Sequence, residues 1–177
     1  MFDDMIEAMS EIPEFVPTTT EWNGTDPIDL SKICSNTDNP QLCTKSISTH
    51  LKPGTNQIDP VSALKTEIGE SIIKVQNAME RARELRKDPS TSKLANVCLA
   101  TCLDTYNLAI FDLKKVLESI EHHDAGTMES YLSAVLSNIG TCDDSFAEMG
   151  LVSPLDNLAI ELNKFASNCL AISKMLL

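Results

Sequence analysis

The sequence predicts an all-α fold: an up-down-up-down four-helix bundle preceded by a small disulfide-clipped helical hairpin. Three observations carry that expectation. Four long segments repeat apolar residues at the three-and-four spacing of one helical face. Short polar breaks containing proline or glycine separate them, as loops do between antiparallel neighbours in a bundle. Finally, Cys102 and Cys142 stand forty positions apart, with His122-His123-Asp124-Ala125-Gly126 almost midway between them. If the chain folds back there, each cysteine lies roughly 30 Å along its helix from the turn, at ~1.5 Å per residue. The two thiols then come level, a geometry that closes a disulfide without moving backbone. Such a staple points to a secreted bundle and argues against a cytosolic redox enzyme.

Residues 1–27 read as an acidic N-terminal extension. Phe2, Met5, Ile6 and Met9 can form one short amphipathic turn, but Pro13, Pro17 and a threonine-rich run stop it, and the composition suits a flexible tail. Asn23-Gly24-Thr25 is an N-glycosylation sequon, which makes Asn23 a glycosylation candidate. Residues 28–59 form the hairpin. Ile28, Leu30 and Ile33 lead into Cys34; a polar run ending in Pro40 turns the chain; Leu42 and Cys43 follow. Proline can begin a helix but not continue one, so the corner is a helix–turn–helix clipped by Cys34–Cys43.

Residues 60–177 form the bundle. The first helix spans about 60–87, with Val61, Leu64, Ile68, Ile72, Val75, Met79 and Ala82 on one face, and Asp88-Pro89-Ser90 ends it. The second covers about 91–121, with Leu94, Leu99, Leu103, Tyr106, Ile110, Leu113, Leu117 and Ile120 inward. In the turn that follows, polar residues and a glycine mark the helix end. The third, about 127–147, carries Met128, Tyr131, Val135, Ile139, Cys142 and Phe146. Gly150 and Ser153-Pro154 introduce the fourth, 155–176, with a stripe of Leu155, Leu158, Leu162, Phe165, Cys169, Ile172 and Leu176. Pro154 suits a first helical turn.

Composition narrows the function. Hydrophobic residues make up 42% of the 177 but aromatics only 5%, so the core is aliphatic, as helix packing prefers. The net charge is −12, and residues 1–30 hold eight acids and no base. Such a chain repels nucleic acid and anionic lipid and attracts basic partners. No stretch approaches the ~18 uncharged apolar residues of a membrane helix. Six cysteines fit an oxidising compartment, although Met1-Phe2-Asp3-Asp4 does not open a signal peptide. Either the given chain lacks its leader or the protein is cytosolic, and the cysteine geometry favours the first reading.

Nothing in the pattern supports catalysis, a metal or a cofactor. HExxH and CxxC motifs are absent, His122-His123 sits in a polar turn, and the six glycines are scattered rather than gathered in a phosphate loop. Cys98 falls one turn before Cys102 and cannot share its partner. In the proposed register Cys98 and Cys169 lie on diagonal helices with a mismatch near 10 Å at ~1.5 Å per residue, beyond disulfide reach. Both read as buried free thiols acting as small hydrophobes.

Several motifs together resemble one family, the plant inhibitors of invertase and pectin methylesterase. They are Ile33-Cys34-Ser35-Asn36-Thr37-Asp38-Asn39-Pro40-Gln41-Leu42-Cys43 with Lys45-Ser46, then Cys102-Leu103-Asp104-Thr105-Tyr106, then Ser133-Ala134-Val135-Leu136 with Thr141-Cys142-Asp143-Asp144-Ser145-Phe146, and last Ser167-Asn168-Cys169-Leu170-Ala171-Ile172. The resemblance runs from about 28 to 177, which makes that stretch one inhibitor domain. It implies disulfides pairing first with second and third with fourth, agreeing with the spacing, and a secreted protein of the cell wall or apoplast that binds an enzyme without catalysis of its own.

Resemblance also implies a target. Invertase inhibitors of this type can enter the active site with a Pro-Lys-Phe loop, and no proline here precedes lysine. Pectin methylesterase inhibitors cover the pectin cleft with polar and acidic residues on the second and third bundle helices. Asp104, Thr141 and Asp144 fall on matching positions, whereas Leu108 and Phe111 stand where acids occur in some of those inhibitors. The expected function is therefore steric block of a pectin methylesterase cleft, with an invertase as the alternative partner. Pro-regions of some pectin methylesterases offer a further alternative, to which a chain ending one turn past its last core position is less suited. Asp104 and Asp144 adjoin the staple and would steer association toward a basic enzyme surface; the bland alternative is that they are solvated surface acids.

Overall fold

The computed structural model describes residues 22–177. The expected amphipathic turn at Phe2–Met9 lies outside them. Eight elements run in order: β1 (Ile28–Asp29), α1 (Leu30–Cys34), α2 (Pro40–Ser48), β2 (Gln57–Ile58), α3 (Pro60–Lys87), α4 (Lys93–Glu121), α5 (Ala125–Glu148) and α6 (Asp156–Ser173), closed by a 3-10 turn, Lys174–Leu176. Within residues 28–59 the sequence suggested helices alone. In fact β1 and β2 pair antiparallel, Ile28 opposite Ile58 and Asp29 opposite Gln57, and clamp the two ends of the hairpin segment.

Four of the six helices start where a side chain takes up a free amide group of the first turn. Asp29 accepts from Ser31 N at 2.9 Å, Asp59 from Ser62 N at 2.8 Å, Ser92 from Ala95 N at 3.1 Å and Asp124 from Thr127 N at 3.0 Å. Pro40 and Pro60 occupy first helical positions, where a missing N–H costs nothing. Two punctuation marks differ from the sequence reading. Gly126 does not stop α4 but lies in the first turn of α5. The residue that leaves the helix in the left-handed region is His123, at φ 54°; histidine is one of the few non-glycine types enriched there. Pro154 lies in a turn two residues before α6, and Leu155 holds the cap position without a side-chain bond.

The bundle closes in ring order, α3 on α4, α4 on α5, α5 on α6 and α6 on α3. Its core is built from Leu64, Ile68 and Val75 of α3, Leu99, Tyr106 and Leu113 of α4, Leu132, Ile139 and Phe146 of α5, and Leu162, Phe165 and Ile172 of α6. Leu94, assigned to the inward face of α4, is 53% exposed instead: Ala95 beside it packs against the core, and Leu94 lies about a third of a turn off the face of Leu99, Tyr106 and Leu113. One property of α4 was passed over in the sequence: it carries an 18-residue window of mean hydropathy 1.3, the length and composition of a bilayer span. Here its inner side is packed against α3 and α5.

The hairpin is fastened to the bundle through polar groups. Asn168 on α6 accepts from Asn39 N at 3.2 Å and returns a bond from its amide nitrogen to Asn39 O, also at 3.2 Å. The same amide nitrogen lies 3.3 Å from Glu67 Oε1, and the hydroxyl of Ser46 on α2 donates to Glu67 Oε2. Glu67 is wholly buried. Burial lifts its pKa from 4.5 to about 7; the hydrogen bonds from Ser46 and Asn168 oppose that rise, and the charge of Glu70 adds to it. About two turns away, at the start of α3, the first described residues are held down. Asn23 N donates to Leu176 O and Val61 N to Gly24 O, each at 3.2 Å. Gly24 has φ +94°, and a Cβ there would stand 2.9 Å from Leu176 Cδ2 and 3.0 Å from Pro60 Cβ, so only glycine fits.

Two outcomes follow. The folded chain holds a proton on Glu67 that the unfolded chain gives up near 4.5, so stability declines as pH rises from about 4.5 to about 7. The decline amounts to about 3 kcal/mol, and Glu67→Gln removes it. Urea titrations at a series of pH values check this; a pH-independent midpoint in the native protein would refute it. Replacing Cys102 and Cys142 by alanine costs about 4 kcal/mol and replacing Cys34 and Cys43 about 2–3, since the longer loop loses more chain entropy when closed. Denaturant midpoints of the two variants give the ranking.

Candidate functional site

Two disulfides lie within the described residues. Cys34–Cys43 joins α1 to α2 with Cα atoms 5.5 Å apart, and Cys102–Cys142 joins α4 to α5 with Cα atoms only 4.4 Å apart. Cys98 and Cys169 are buried thiols without a disulfide partner. They face different neighbours: Cys98 Sγ donates to Ser145 O of α5 at 3.3 Å, while Cys169 Sγ sits 3.7 Å from Ser71 Oγ of α3. Burial pushes the Cys169 thiol well above its usual range, with the neighbouring Glu67 adding to the shift, so it stays protonated and inert.

The Cys102–Cys142 staple draws the backbones of α4 and α5 together and opens a groove on their solvent side. That groove, about 310 Å³, is lined by Val97, Cys98 and Thr101 of α4 and by Thr141, Asp144, Ser145 and Glu148 of α5, with Met149 just beyond the helix. Thr141 is exposed, with its hydroxyl donating to Ser137 O at 2.9 Å, and Asp144 is exposed beside it. Asp104 is also exposed, one turn along α4 from Thr101, outside the groove lining. Among the described residues neither Asp104 nor Asp144 has an ion-pair partner. Thr141 and Asp144 therefore share one groove wall, and Asp104 stands on the ridge beside it.

Neighbouring acids behave differently. Asp143 turns inward, where burial and the charges of Asp156 and Asp144 raise its pKa, and its Oδ1 has no hydrogen-bond partner. Asp112 is almost buried between the helices, accepts from Asn138 Nδ2 at 2.8 Å, and is likewise raised by burial, against that hydrogen bond. These two shape the seam; Asp144 and Asp104 face outward. Missing from the sequence reading was the apolar character of the outer side of α4. Val97, Leu108 and Phe111 are 58%, 51% and 52% exposed. Their spacing alone could have flagged them, as a second three-and-four stripe opposite the core one. No group of three or more histidine, cysteine or acidic side chains among the described residues could hold a metal ion. Asn23 is exposed, and its amide nitrogen, the atom a glycan would take, donates to Leu177 O at 3.2 Å.

Residues 29–172 match the family described as plant invertase/pectin methylesterase inhibitor. The chain belongs to that family. A crystal structure of a mutant form of a pectin methylesterase inhibitor from Arabidopsis superposes with a TM-score of 0.67 at 22% identity, covering 84% of this chain and 97% of the other, which shows the shared fold. The pectinesterase inhibitor of Actinidia deliciosa is 26% identical over 154 residues, 83% of this chain and 78% of its own length. Pectinesterase 1 of Citrus sinensis is 25% identical over 166 residues, 86% of this chain; this chain spans only 28% of that relative's length. The family bundle thus occurs both in inhibitors and inside larger pectinesterases.

One detail of this family member is directly testable. Tyr106 is wholly buried under the staple and its hydroxyl has no hydrogen-bond partner; burial, and the nearby Asp143 charge, push its pKa far up. Removing an unsatisfied buried hydroxyl costs nothing and relieves a desolvation penalty. Tyr106→Phe is therefore expected to be neutral or stabilising by about 1 kcal/mol. Thermal unfolding reads the result, and a loss of more than that amount would show that the hydroxyl is bonded in solution.

Proposed function

We propose that this chain is a secreted inhibitor that binds a plant pectin methylesterase and blocks its cleft by covering it, with no catalysis of its own. The observation that carries the reading is the α4–α5 face, where Asp104, Thr141 and Asp144 stand exposed on two helices locked by Cys102–Cys142. A face fixed by a covalent staple loses little conformational freedom on docking, which favours tight binding from a modest area. Unpaired acids on it draw the inhibitor to a basic enzyme surface and speed association more than they deepen affinity. The two disulfides support an oxidising compartment such as the cell wall or apoplast.

The family also includes inhibitors of invertase, so the target has to be read from a panel. Titrating the purified chain into plant pectin methylesterases and into cell-wall and vacuolar invertases is expected to inhibit at least one pectin methylesterase. Inhibition confined to invertases would transfer the reading to that enzyme. Against whichever enzyme responds, Asp104→Asn with Asp144→Asn is expected to slow association about threefold to tenfold at low salt and flatten its salt dependence. Unchanged association would remove both acids from the recognition surface and move the search to the hairpin.

A further inference from the structure

Positions 97, 101, 104, 108 and 111 follow one another at the three-and-four spacing that stacks side chains along one helix face. On α4 that face looks outward and carries Val97, Thr101, Asp104, Leu108 and Phe111. Three of the five are apolar and half or more exposed. Scattered surface leucines need no explanation, but a row is different. These side chains take no part in the core, whose contribution from α4 comes from the opposite side, through residues such as Leu99, Tyr106 and Leu113. The row also borders the stapled groove, since Val97 lines it together with Thr141 and Asp144, so apolar and acidic groups share a single surface.

We propose that Val97, Leu108 and Phe111 form an apolar contact ridge, with Asp104 set among them, that docks on an enzyme surface combining apolar and basic groups. This rests on the inhibitor reading and narrows its partner. Pectin is a uronic acid polymer in which some carboxylates are free and others are methyl esters. A cleft that receives it must offer cationic groups to the carboxylates and apolar walls to the methyls. The ridge presents the same two chemistries over roughly 21 Å of helix at ~1.5 Å per residue. A site made for a small neutral sugar needs no cationic groups for carboxylates, and so has less to offer Asp104. Charge argues against two other occupants: a second copy of a chain of net charge −12, and an anionic membrane, would each be repelled.

The division of labour can be measured. Acids act on the association rate and respond to salt, whereas buried apolar contacts act on the dissociation rate and do not. The full chain with Val97→Gln, Leu108→Gln and Phe111→Gln is compared with native protein by surface plasmon resonance on immobilised pectin methylesterase across a salt series. Ile73→Gln, an equally exposed apolar side chain on α3, serves as control, and melting temperatures confirm that each variant folds. The ridge variant is expected to dissociate at least 30-fold faster, as loss of a few central contacts does, with its salt dependence unchanged, while the control behaves as native. Native-like dissociation of the ridge variant from an enzyme that the native chain inhibits would overturn the ridge and leave the inhibitor reading standing. Failure of the native chain to inhibit any pectin methylesterase would bring down the reading and the ridge together. Sedimentation of the native chain as a dimer, or its binding to phosphatidylcholine vesicles, lost in the ridge variant, would overturn the enzyme as occupant.

Discussion

Two helical backbones meeting at a Cα separation of 4.4 Å leave no room for side chains between them, and Cys102–Cys142 imposes that approach on α4 and α5. Each Cα stands about 2.3 Å from its helix axis, so the two axes lie no more than about 9 Å apart at the bridge, within the 8–10 Å usual for packed helices. At the staple the interdigitation of side chains is replaced by a single covalent bridge. Its neighbours adapt on both sides. Inward, Tyr106 and Phe146, each one turn after a bridging cysteine, are wholly buried; outward, the small side chains of Thr101, Thr141 and Ser145 line a groove. Small residues on both helices leave the groove open beside the bridge.

The hairpin obeys a different logic. It contributes Leu30, Ile33, Cys34, Cys43 and Ile47 to the core, with Ile28, Leu51 and Ile58 packed against it. Its joint with the bundle also carries hydrogen bonds that converge on Glu67 and Asn168, both fully buried. A carboxyl sheltered from water without a cation beside it is comfortable only in its neutral form. The seam between hairpin and bundle is therefore coupled to pH through Glu67. One molecule carries a covalent joint and a protonation-dependent one.

How much of this could be read in advance depended on where the information lay. The four long helices were legible because their apolar stripes are regular, and three have local caps: Asp59 and Ser92 sit two residues before the first stripe position and Asp124 four before. The acids Asp104 and Asp144 were legible as exposed because they fall opposite those stripes. Glu67 was not. It lies between Leu64 and Ile68 on a helix whose covered arc is widened by the hairpin, and a helix sequence does not say how wide its covered arc will be. Leu108 and Phe111 were set down as departures from an acidic pattern, yet their composition is that of core residues, and only packing tells an outer stripe from an inner one. The β1–β2 pair is two residues long on each side, too short for alternation to register. At the turn the glycine drew attention, while the backbone reversal was taken by His123.

The bonds from Asn23 to Leu176 and from Val61 to Gly24, together with Trp22 stacked 5.2 Å from His123, gather the first described residue and the last at one end of the bundle. That end holds the start of α3, the finish of α4 and the start of α5. The stapled groove lies toward the other, since Asp144 comes nineteen residues after Ala125 along α5, nearly 30 Å away at ~1.5 Å per residue. The molecule thus has two poles, one that gathers Trp22 and Leu177 and one that carries the groove. A glycan on Asn23, or a support coupled at Leu177, would therefore start from the pole that the groove does not use.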